Sequence, residues 1–358
     1  MADNNSILLI PDISGFTDFV HNTEISHAQH IISELLEILI DANNTDLELA
    51  EIEGDALFYY KHQSILPLDK LIDQLKHFYL AFHHHLQLYE NKRICQCGAC
   101  TSAAMLNLKF VVHAGPFEFI EVKGKRKPLG SSVITVHRLL KNKVPSDEYI
   151  LLTDQYLECA QAQIDDWQIE SETYEHIGPI NYRFKDIHSY QDDLEQLPEI
   201  VVDNISNPRS IQFNVEVNRN VLDVYELLTN FNYRRMWNTG LTELLYDKDK
   251  LNQAGVTHTC VIDGKNIDFE TIKSKTEEGQ WIYGEQTNDV PLMSRVIAYN
   301  ILKSIDKNKT IITVKALFEA KNVMGKILFP IIKKQFLKAT HESFDRLKNL
   351  AEGKSSPI

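Results

Sequence analysis

The chain has 358 residues, of which 43% are apolar and 24% charged, with a formal net charge of −13 at neutral pH. Such a composition is typical of globular domains, and the length predicts two domains or three. The acidic excess argues against a nucleic-acid coat or an anionic membrane surface as the general partner. It remains compatible with a nucleotide that is bound through metal ions.

The N-terminus, MADNNSILLIPDISGF, lacks a basic segment, and its apolar run is short for a signal peptide. No stretch approaches the roughly 18 apolar residues of a membrane span. The longest candidate, residues 327–332, is interrupted by Pro330. We therefore expect a cytoplasmic protein without membrane insertion, in which the five cysteines are reduced thiols.

The first half of the chain alternates predicted strands and helices. Strands are predicted at 6–13, at 47–60 as two short strands around Gly54, at 106–115 and 117–122 as a hairpin around Gly115 and Pro116, and at 148–153. Helices are predicted at 26–41, at 68–90 and after Gly130, where Ser131 or Ser132 would be the N-cap. The order β-α-β-β-α-β is that of a ferredoxin-like sheet with helices on one face, in the α+β class.

The second half has a different pattern. Residues 191–208 are acidic and polar and end at Pro208, so we predict a linker between a domain at 1–190 and a domain at 209–358. A strand at 210–217 and a helix at 220–230 are followed by many strands and by a long helix at 324–352. Antiparallel strands flanked by helices again indicate an α+β fold.

The segment EIEGDALFYY carries Glu51, Glu53 and Asp55 at every second position, the period of one strand face. Like charges at this spacing repel unless water, a proton or a cation screens them. Asp12 lies near the end of the first strand, which should pair with this hairpin. Two carboxylates on neighbouring strands, with Gly54 permitting close approach, suit Mg²⁺ or Mn²⁺ carrying a polyphosphate. The alternative is that Asp55 is only a turn residue.

Four blocks, DISGFT, EGDALFYY, LKFVVHAG and LGSSVITVHRLL, resemble the class III nucleotidyl cyclase catalytic domain, in order across residues 5–190. Within that family the chain is most similar to an uncharacterised bacterial group. The resemblance implies that Asp12, Asp55 and the backbone carbonyl of Ile13 bind two metal ions. It also implies that Arg138 stabilises the pentavalent phosphate, and that the substrate is a purine nucleoside triphosphate. Family members act as head-to-tail dimers, so a homodimer is expected.

The sequence departs from the family pattern near the substrate. Ile134 stands where the family has the asparagine that orients the ribose, and Thr135, His137 and Asn142 are the candidates to compensate. Glu51 matches the glutamate with which guanylate cyclases read the base, whereas Lys127, at the second base-reading position, matches neither cyclase pattern. Glu53 fills a slot that is normally apolar, and solvation is its simplest explanation.

Cys95, Cys97 and Cys100 form a C-x-C-x-x-C cluster that can face one structural Zn²⁺. The fourth ligand would be His113, one of His83–His85 or a thiolate of another protomer. A redox or sulfur-cluster role and unligated reduced thiols are the alternatives. Consecutive histidines point in different directions on a helix, so 83–85 are interpreted as solvated surface residues.

Residues 209–352 resemble the START-like helix-grip superfamily, in which a curved antiparallel sheet wraps a long terminal helix around an apolar cavity. This resemblance implies a small hydrophobic ligand. The candidate pocket residues are Trp237, His258, Trp281, Tyr283 and Phe336, with ordinary packing as the alternative reading of each.

Together these patterns predict metal-dependent purine nucleotide binding, and cyclisation to a 3′,5′-cyclic nucleotide, coupled to a ligand-sensing domain. The alternative is an inactive cyclase fold that binds or scaffolds, with the function residing in ligand binding by the second domain. Ile134 favours this alternative, whereas the presence of Asp12, Asp55 and Arg138 favours turnover.

Overall fold

The computed structural model describes residues 4–21, 25–94, 98–197, 209–247, 252–273 and 279–354. The chain forms two compact units. Unit 1 comprises Met1–Glu90 and Thr101–Leu197, and unit 2 comprises Asn91–Cys100 and Pro198–Ile358. Within unit 2, the backbone N–H of Ala254 donates to the carbonyl of Lys92 at 2.9 Å, and the Tyr225 hydroxyl donates to the carbonyl of Ile94 at 2.6 Å.

Unit 1 is built on a sheet of seven strands in the order β2-β3-β1-β4-β7-β9-β8. The strands are β1 Ser6–Ser14, β2 Glu48–Glu53, β3 Ala56–Lys61, β4 Asn107–Gly115, β5 Glu118–Val122, β6 Lys125–Leu129, β7 Tyr149–Thr153, β8 Gln168–Tyr174 and β9 Gly178–Asp186. The helices of this part of the chain are α1 Phe16–His21, α2 Ile25–Asp41, α3 Leu68–Lys92, α4 Gly98–Ser102, α5 Ser131–Leu139 and α6 Asp154–Cys159. The last two residues of α3 and the first three of α4 belong to unit 2. The strands β2, β3, β1 and β4 lie side by side with each neighbour antiparallel, which is the ferredoxin-like order that the sequence predicted.

Helices cover both faces of this sheet, so the prediction of helices on one face is wrong. Phe78 of α3 stacks on Tyr59 and Phe110, whereas α5 packs against the opposite face, on residues that include Phe58 and Val111. Adjacent strand residues point to opposite faces, so these two sets lie on opposite sides. The same arrangement explains why all nine residues of β1 are buried.

Two local predictions in unit 1 are also wrong. β5 pairs with β6 in a separate two-stranded sheet, because β4 has both of its edges occupied by β1 and β7. The N-cap of α5 is Gly130, which has a φ of 159° and no side chain to cap with. A Cβ atom at Gly130 would lie 3.3 Å from the backbone of Phe117, and the Ser132 hydroxyl donates instead to the carbonyl of Pro116 at 3.0 Å.

Unit 2 contains a second seven-stranded sheet, in the order β10-β16-β15-β14-β13-β12-β11, with every described pair antiparallel. Its strands are β10 Arg209–Val217, β11 Leu241–Leu245, β12 Thr257–Ile262, β13 Lys265–Ile272, β14 Gln280–Thr287, β15 Met293–Asp306 and β16 Lys309–Ala320. Its helices are α7 Val221–Thr229, α8 Phe231–Trp237 and α9 Val323–Ala351. A long terminal helix beside an antiparallel sheet is what the helix-grip resemblance implied.

The core of unit 2 joins the C-terminal half of α9 to α7 and the sheet. Phe344 and Leu347 of α9 pack in one buried cluster with Val224, Trp237 and Tyr283. Among the helices that the structure describes, none has the combination of length and apolar character needed to cross a membrane.

Candidate functional site

Asp12 of β1 and Asp55, in the turn before β3, lie close together at one end of the unit 1 sheet. The antiparallel register of β1 and β3 places Asp12 opposite Ala56, and the Ile13 N–H donates to the Asp55 carbonyl at 3.1 Å. The charge of the Asp12 carboxylate acts on Asp55 and raises its pKa, so the two carboxyl groups lie close to each other. The structure therefore brings together the two acidic side chains that the sequence placed far apart in the chain.

The electrostatics of this pair disfavour two negative charges. Burial raises the pKa of Asp12, which is 9% exposed, although Lys109, with Nζ 3.3 Å from Asp12 Oδ2, opposes the rise. Burial and the neighbouring Asp12 carboxylate raise the pKa of Asp55 to about 6. Like charges this close favour the protonated form of one carboxyl group, and a cation at the same place would relieve the repulsion instead.

The donor set fits a hard divalent cation. Carboxylate oxygens are ligands that Mg²⁺ and Mn²⁺ prefer, and Mg²⁺ is usually held by one or two carboxylates together with phosphates and water. The described part of the chain contains no group of three or more His, Cys, Asp and Glu side chains arranged to hold a metal ion. Asp12 and Asp55 would therefore supply only part of a coordination shell, and the Ile13 carbonyl remains a predicted third ligand.

Glu53 contacts His137 of α5. Its Oε1 atom lies 2.9 Å from His137 Nε2, while His137 Nδ1 lies 2.7 Å from the carbonyl oxygen of Val133. Both ring nitrogens face acceptors, so the two hydrogen bonds form together only when both nitrogens carry hydrogen. The edge of β2 is thus joined to α5, and solvation does not account for Glu53.

Glu51 forms an ion pair with Lys127 of β6. The Oε1 and Nζ atoms are 2.7 Å apart, and the two side chains are 44% and 49% exposed. The two positions that the resemblance assigns to base reading are therefore adjacent in space. Exposed ion pairs contribute only about 0–1 kcal/mol, so this pair can open to another partner at small cost.

Arg138 and Ile134 lie on the exposed side of α5. Ile134 is 52% exposed, and both residues line a surface groove of about 420 Å³ together with Val133, His137 and Lys141. Within the described residues, no ion pair or hydrogen bond joins Arg138 to a carboxylate, Asp12 and Asp55 included. Its guanidinium therefore faces outward, where an anion or a second molecule can reach it.

Two of the residues predicted to compensate for the missing asparagine have other contacts. Asn142 Nδ2 donates to the Leu139 carbonyl at 2.7 Å and to the Tyr149 hydroxyl at 2.6 Å, and Asn142 Oδ1 accepts from the Val144 N–H at 2.9 Å. The Thr135 hydroxyl donates to the Ser131 carbonyl at 2.9 Å. Asn142 is built into the end of α5, and we do not carry it into the proposed site.

Only part of the predicted zinc cluster lies within the described residues. Cys95 and Cys97 lie outside the described residues, and Cys100 is buried in α4. His113 has Nδ1 3.0 Å from Thr153 Oγ1, and burial lowers the pKa of His113 to about 4. The zinc site stays a prediction, and this candidate fourth ligand faces another partner.

A buried carboxylate that the sequence did not indicate lies on the other side of unit 1. Glu148 is 1% exposed and faces three groups, the Tyr79 hydroxyl at 3.1 Å, His83 Nε2 at 2.9 Å and His188 Nδ1 at 2.5 Å. Burial opposes ionisation, but the hydrogen bond and charge of His83 bring the pKa of Glu148 below its usual value. His83 is itself buried, so the prediction of solvated histidines is wrong for this residue.

Unit 2 holds a second buried charged group. Arg234 Nη2 donates to Glu285 Oε2 at 2.6 Å, the Tyr283 hydroxyl donates to Glu285 Oε1 at 2.5 Å, and His258 Nε2 lies 3.2 Å from Glu285 Oε1. Burial raises the pKa of Glu285, but Arg234 and His258 together outweigh that effect and bring it well below its usual range. The sequence singled out Tyr283 and His258 but missed Arg234 and Glu285.

The other candidate pocket residues of unit 2 make packing contacts. Trp237 is buried and donates from Nε1 to the Leu227 carbonyl at 2.9 Å, and Trp281 packs against the same core. The ring of Phe336 lies 5.1 Å from that of Phe318. These contacts agree with the reading of ordinary packing.

Comparison with known proteins gives one family match. A family model described as a protein of unknown function (DUF2652) matches residues 32–149, about a third of the chain. A curated relative, the uncharacterised protein Rv2561/Rv2562 of Mycobacterium tuberculosis, is 32% identical over 136 residues, which are 37% of this chain and 62% of that protein. The chain thus spans less than two thirds of the relative's length.

Solved structures of two kinds are similar to parts of the chain. The catalytic core of a rhodopsin-guanylyl cyclase with converted specificity, in complex with ATPαS, is 16% identical with a TM-score of 0.37, covering 51% of this chain and 97% of that one. A norcoclaurine synthase of Thalictrum flavum, a point mutant in complex with a transition-state analogue, is 16% identical with a TM-score of 0.34. The match covers 42% of this chain and 100% of that one. These likenesses are remote, and nothing about the activity of this chain follows from them.

Proposed function

We propose that unit 1 binds a purine nucleoside triphosphate together with Mg²⁺ or Mn²⁺ at Asp12, Asp55 and the carbonyl of Ile13. The observation that carries the proposal is the juxtaposition of Asp12 and Asp55 by the pairing of β1 with β3, with the Ile13 N–H bonded to the Asp55 carbonyl. A divalent cation would remove the repulsion between the two carboxylates. Lys109, 3.3 Å from Asp12, adds positive charge beside a bound polyphosphate.

We further propose that the bound nucleotide is cyclised in a head-to-tail homodimer. The ribose 3′-hydroxyl loses its proton and attacks the α-phosphorus, the bond from that phosphorus to the β-phosphate oxygen breaks, and pyrophosphate leaves. A bound divalent cation would supply activation of the hydroxyl and neutralisation of the leaving group. Arg138 of a second copy would stabilise charge on the phosphate, which its outward position on α5 permits.

A second candidate function is nucleotide binding without turnover, with small-molecule binding by unit 2 as the output. The observation that favours it is the aliphatic side chain of Ile134, 52% exposed in the groove beside Arg138. Loss of one transition-state hydrogen bond lowers a rate by about 10²–10³. The Thr135 hydroxyl and the Asn142 amide already donate their hydrogens to other groups.

The test uses the purified full chain, Mn²⁺ and each of the four nucleoside triphosphates, with mass spectrometry for the cyclic product and calorimetry for binding. The variant is Asp55→Asn, and the matched control is Asp166→Asn at an exposed carboxylate. Cyclic product that is lost with Asp55→Asn supports turnover, and metal-dependent binding without product supports the second candidate. Equal metal-dependent binding of nucleotide by the wild type and by Asp55→Asn would contradict the proposed site.

A further inference from the structure

The N-terminal half of α9 has apolar residues on two sides, and only one side packs against the sheet. Phe329, Ile332, Phe336 and Leu337 contact a cluster formed by Ile211, Met293, Val296, Ala316 and Phe318. The rings of Phe329 and Phe336 lie 5.4 and 5.1 Å from that of Phe318. This packing fixes the rotation of the helix about its own axis.

The other side presents apolar side chains to solvent. Val323 is 67% exposed, Met324 57%, Ile327 65% and Ile331 57%. Val323, Ile327 and Ile331 follow one another at four-residue intervals, so they form one stripe along the helix. Lys334 and Lys338 continue the same stripe at intervals of three and four residues. We call the surface formed by these six residues the α9 stripe.

The charge around the α9 stripe is opposite to that of the whole protein. Residues 321–341 contain five lysines, at 321, 326, 333, 334 and 338, and no Asp or Glu, whereas the chain as a whole carries −13. All five lysines are exposed. Within the described residues, none of them is in an ion pair with a carboxylate. Their charge is therefore available to an external anion.

The backbone at the start of α9 adds to this positive character. Asn322 caps the helix, its side chain accepting from the Gly325 N–H at 3.0 Å, and the first turn contains no acidic residue. The positive end of the helix dipole therefore faces the same region as the lysines. Gly325 is held against the backbone of Leu292, where a Cβ atom would come within 2.3 Å of the carbonyl oxygen. The helix start is thus fixed in place beside the stripe.

We propose that the α9 stripe docks unit 2 onto an anionic phospholipid surface. Isoleucine, valine and methionine side chains would enter the boundary between headgroups and acyl chains, while the lysines contact lipid phosphates. This is association in the plane of the interface, distinct from membrane insertion. A second copy of the chain is a poorer occupant, because a two-fold contact through the stripe would oppose the same lysines to each other. The overall acidity argued against such a partner, but the local excess of lysines reverses that argument at this surface.

The test is sedimentation of the full chain with vesicles of phosphatidylcholine alone and of phosphatidylcholine with 30% phosphatidylglycerol. The wild type is expected in the pellet with the anionic vesicles only, and less so at high salt, since salt screens the lysines. Ile327→Glu with Ile331→Glu, and separately Lys333→Glu with Lys334→Glu, are expected to lower binding by about tenfold or more.

Matched controls on β15 and its turn are Ile305→Glu, at a residue 50% exposed, and Lys303→Glu with Lys307→Glu. These controls are expected to bind as the wild type does. Light scattering shows whether each variant keeps the mass of the wild type, and circular dichroism shows whether it folds. Equal sedimentation with both vesicle types, or stripe variants that bind like the controls, would overturn the proposal. A stripe variant that changes the oligomeric mass but not vesicle binding would assign the surface to a second copy instead.

Discussion

His137 Nε2 lies 2.9 Å from Glu53 Oε1 and thereby joins α5 to the edge strand β2. A second pair, Glu51 with Lys127, joins the same strand to β6 at 2.7 Å. The two carboxylates of β2 thus have separate partners, and Asp55, in the turn that follows, lies beside the Asp12 carboxylate, whose charge raises its pKa. Glu51, Glu53 and Asp55 of the segment EIEGD therefore each contact a different residue and do not form one charged surface.

The two ion pairs of β2 are expected to differ in strength. His137 is the more enclosed partner and also bonds to the Val133 carbonyl, whereas Glu51 and Lys127 are about half exposed. Double-mutant cycles with alanine should give a coupling free energy of about 0.5–1.5 kcal/mol for Glu53–His137. The Glu51–Lys127 cycle, as the matched control, should give about 0–0.5 kcal/mol. Urea unfolding measures both, and equal couplings would contradict this assignment.

The Asp12–Asp55 pair predicts an unusual dependence of stability on pH. The pKa of Asp55 is raised to about 6 in the folded protein, so its protonated form favours folding. This contribution to stability is fully present below the pKa of Asp55 in the unfolded chain, and it is lost as the pH rises through about 6. Without metal, the thermal midpoint of the wild type should therefore decrease relative to that of Asp55→Asn as the pH rises from about 4 to about 6. At pH 7.5 with chelator, Asp55→Asn should melt a few degrees higher than the wild type.

Divalent cations supply the complementary measurement on the same variants. Mn²⁺ at pH 7.5 should raise the midpoint of the wild type and of the Asp166→Asn control, because binding to the folded state stabilises it. The midpoint of Asp55→Asn should not respond. A wild type that gains no stability from Mn²⁺, with or without triphosphate, would speak against the metal site.

The buried Arg234–Glu285 pair of unit 2 should tolerate joint replacement better than single replacement. Glu285→Gln alone leaves the Arg234 charge buried without its partner, so we expect a loss of about 3–5 kcal/mol. Arg234→Met combined with Glu285→Gln removes both charges and should recover much of that loss. Urea unfolding, followed by tryptophan fluorescence, measures the free energy of unfolding of each variant. A double variant less stable than Glu285→Gln would contradict this interpretation.

The strands and long helices of both units could be predicted from periodicity, with ends within a few residues of those observed. Asp12 and Asp55 could be paired because a tight hairpin at Gly54 restricts which residues of β1 lie opposite β3. β6, β8, β9 and β11 were missed, since their exposed residues interrupt the apolar pattern. β4 and β5 were predicted to form a hairpin because they are adjacent in the sequence. In the structure, β4 pairs with β1 on one side and with β7 on the other.

The buried carboxylates could not be predicted, because their partners come from distant segments. Glu148 meets His83 and His188, and Glu285 meets Arg234. In each case the local sequence shows only a single charge beside an apolar run. Tyr283, Glu285 and Thr287 are alternate residues of β14, and all three are buried, so the strand period accounts for the burial of Glu285. Its partner Arg234 lies in α8, about fifty residues earlier in the chain.

Unit 2 is discontinuous in sequence, because Asn91–Cys100 belongs to it. During synthesis the ribosome releases this segment more than a hundred residues before Tyr225, which donates to Ile94, and Ala254, which donates to Lys92. Unit 2 therefore cannot complete its core while only unit 1 has emerged, and a fragment beginning at residue 209 would lack the acceptors for these donors. The two units are therefore not separable by one cut of the chain.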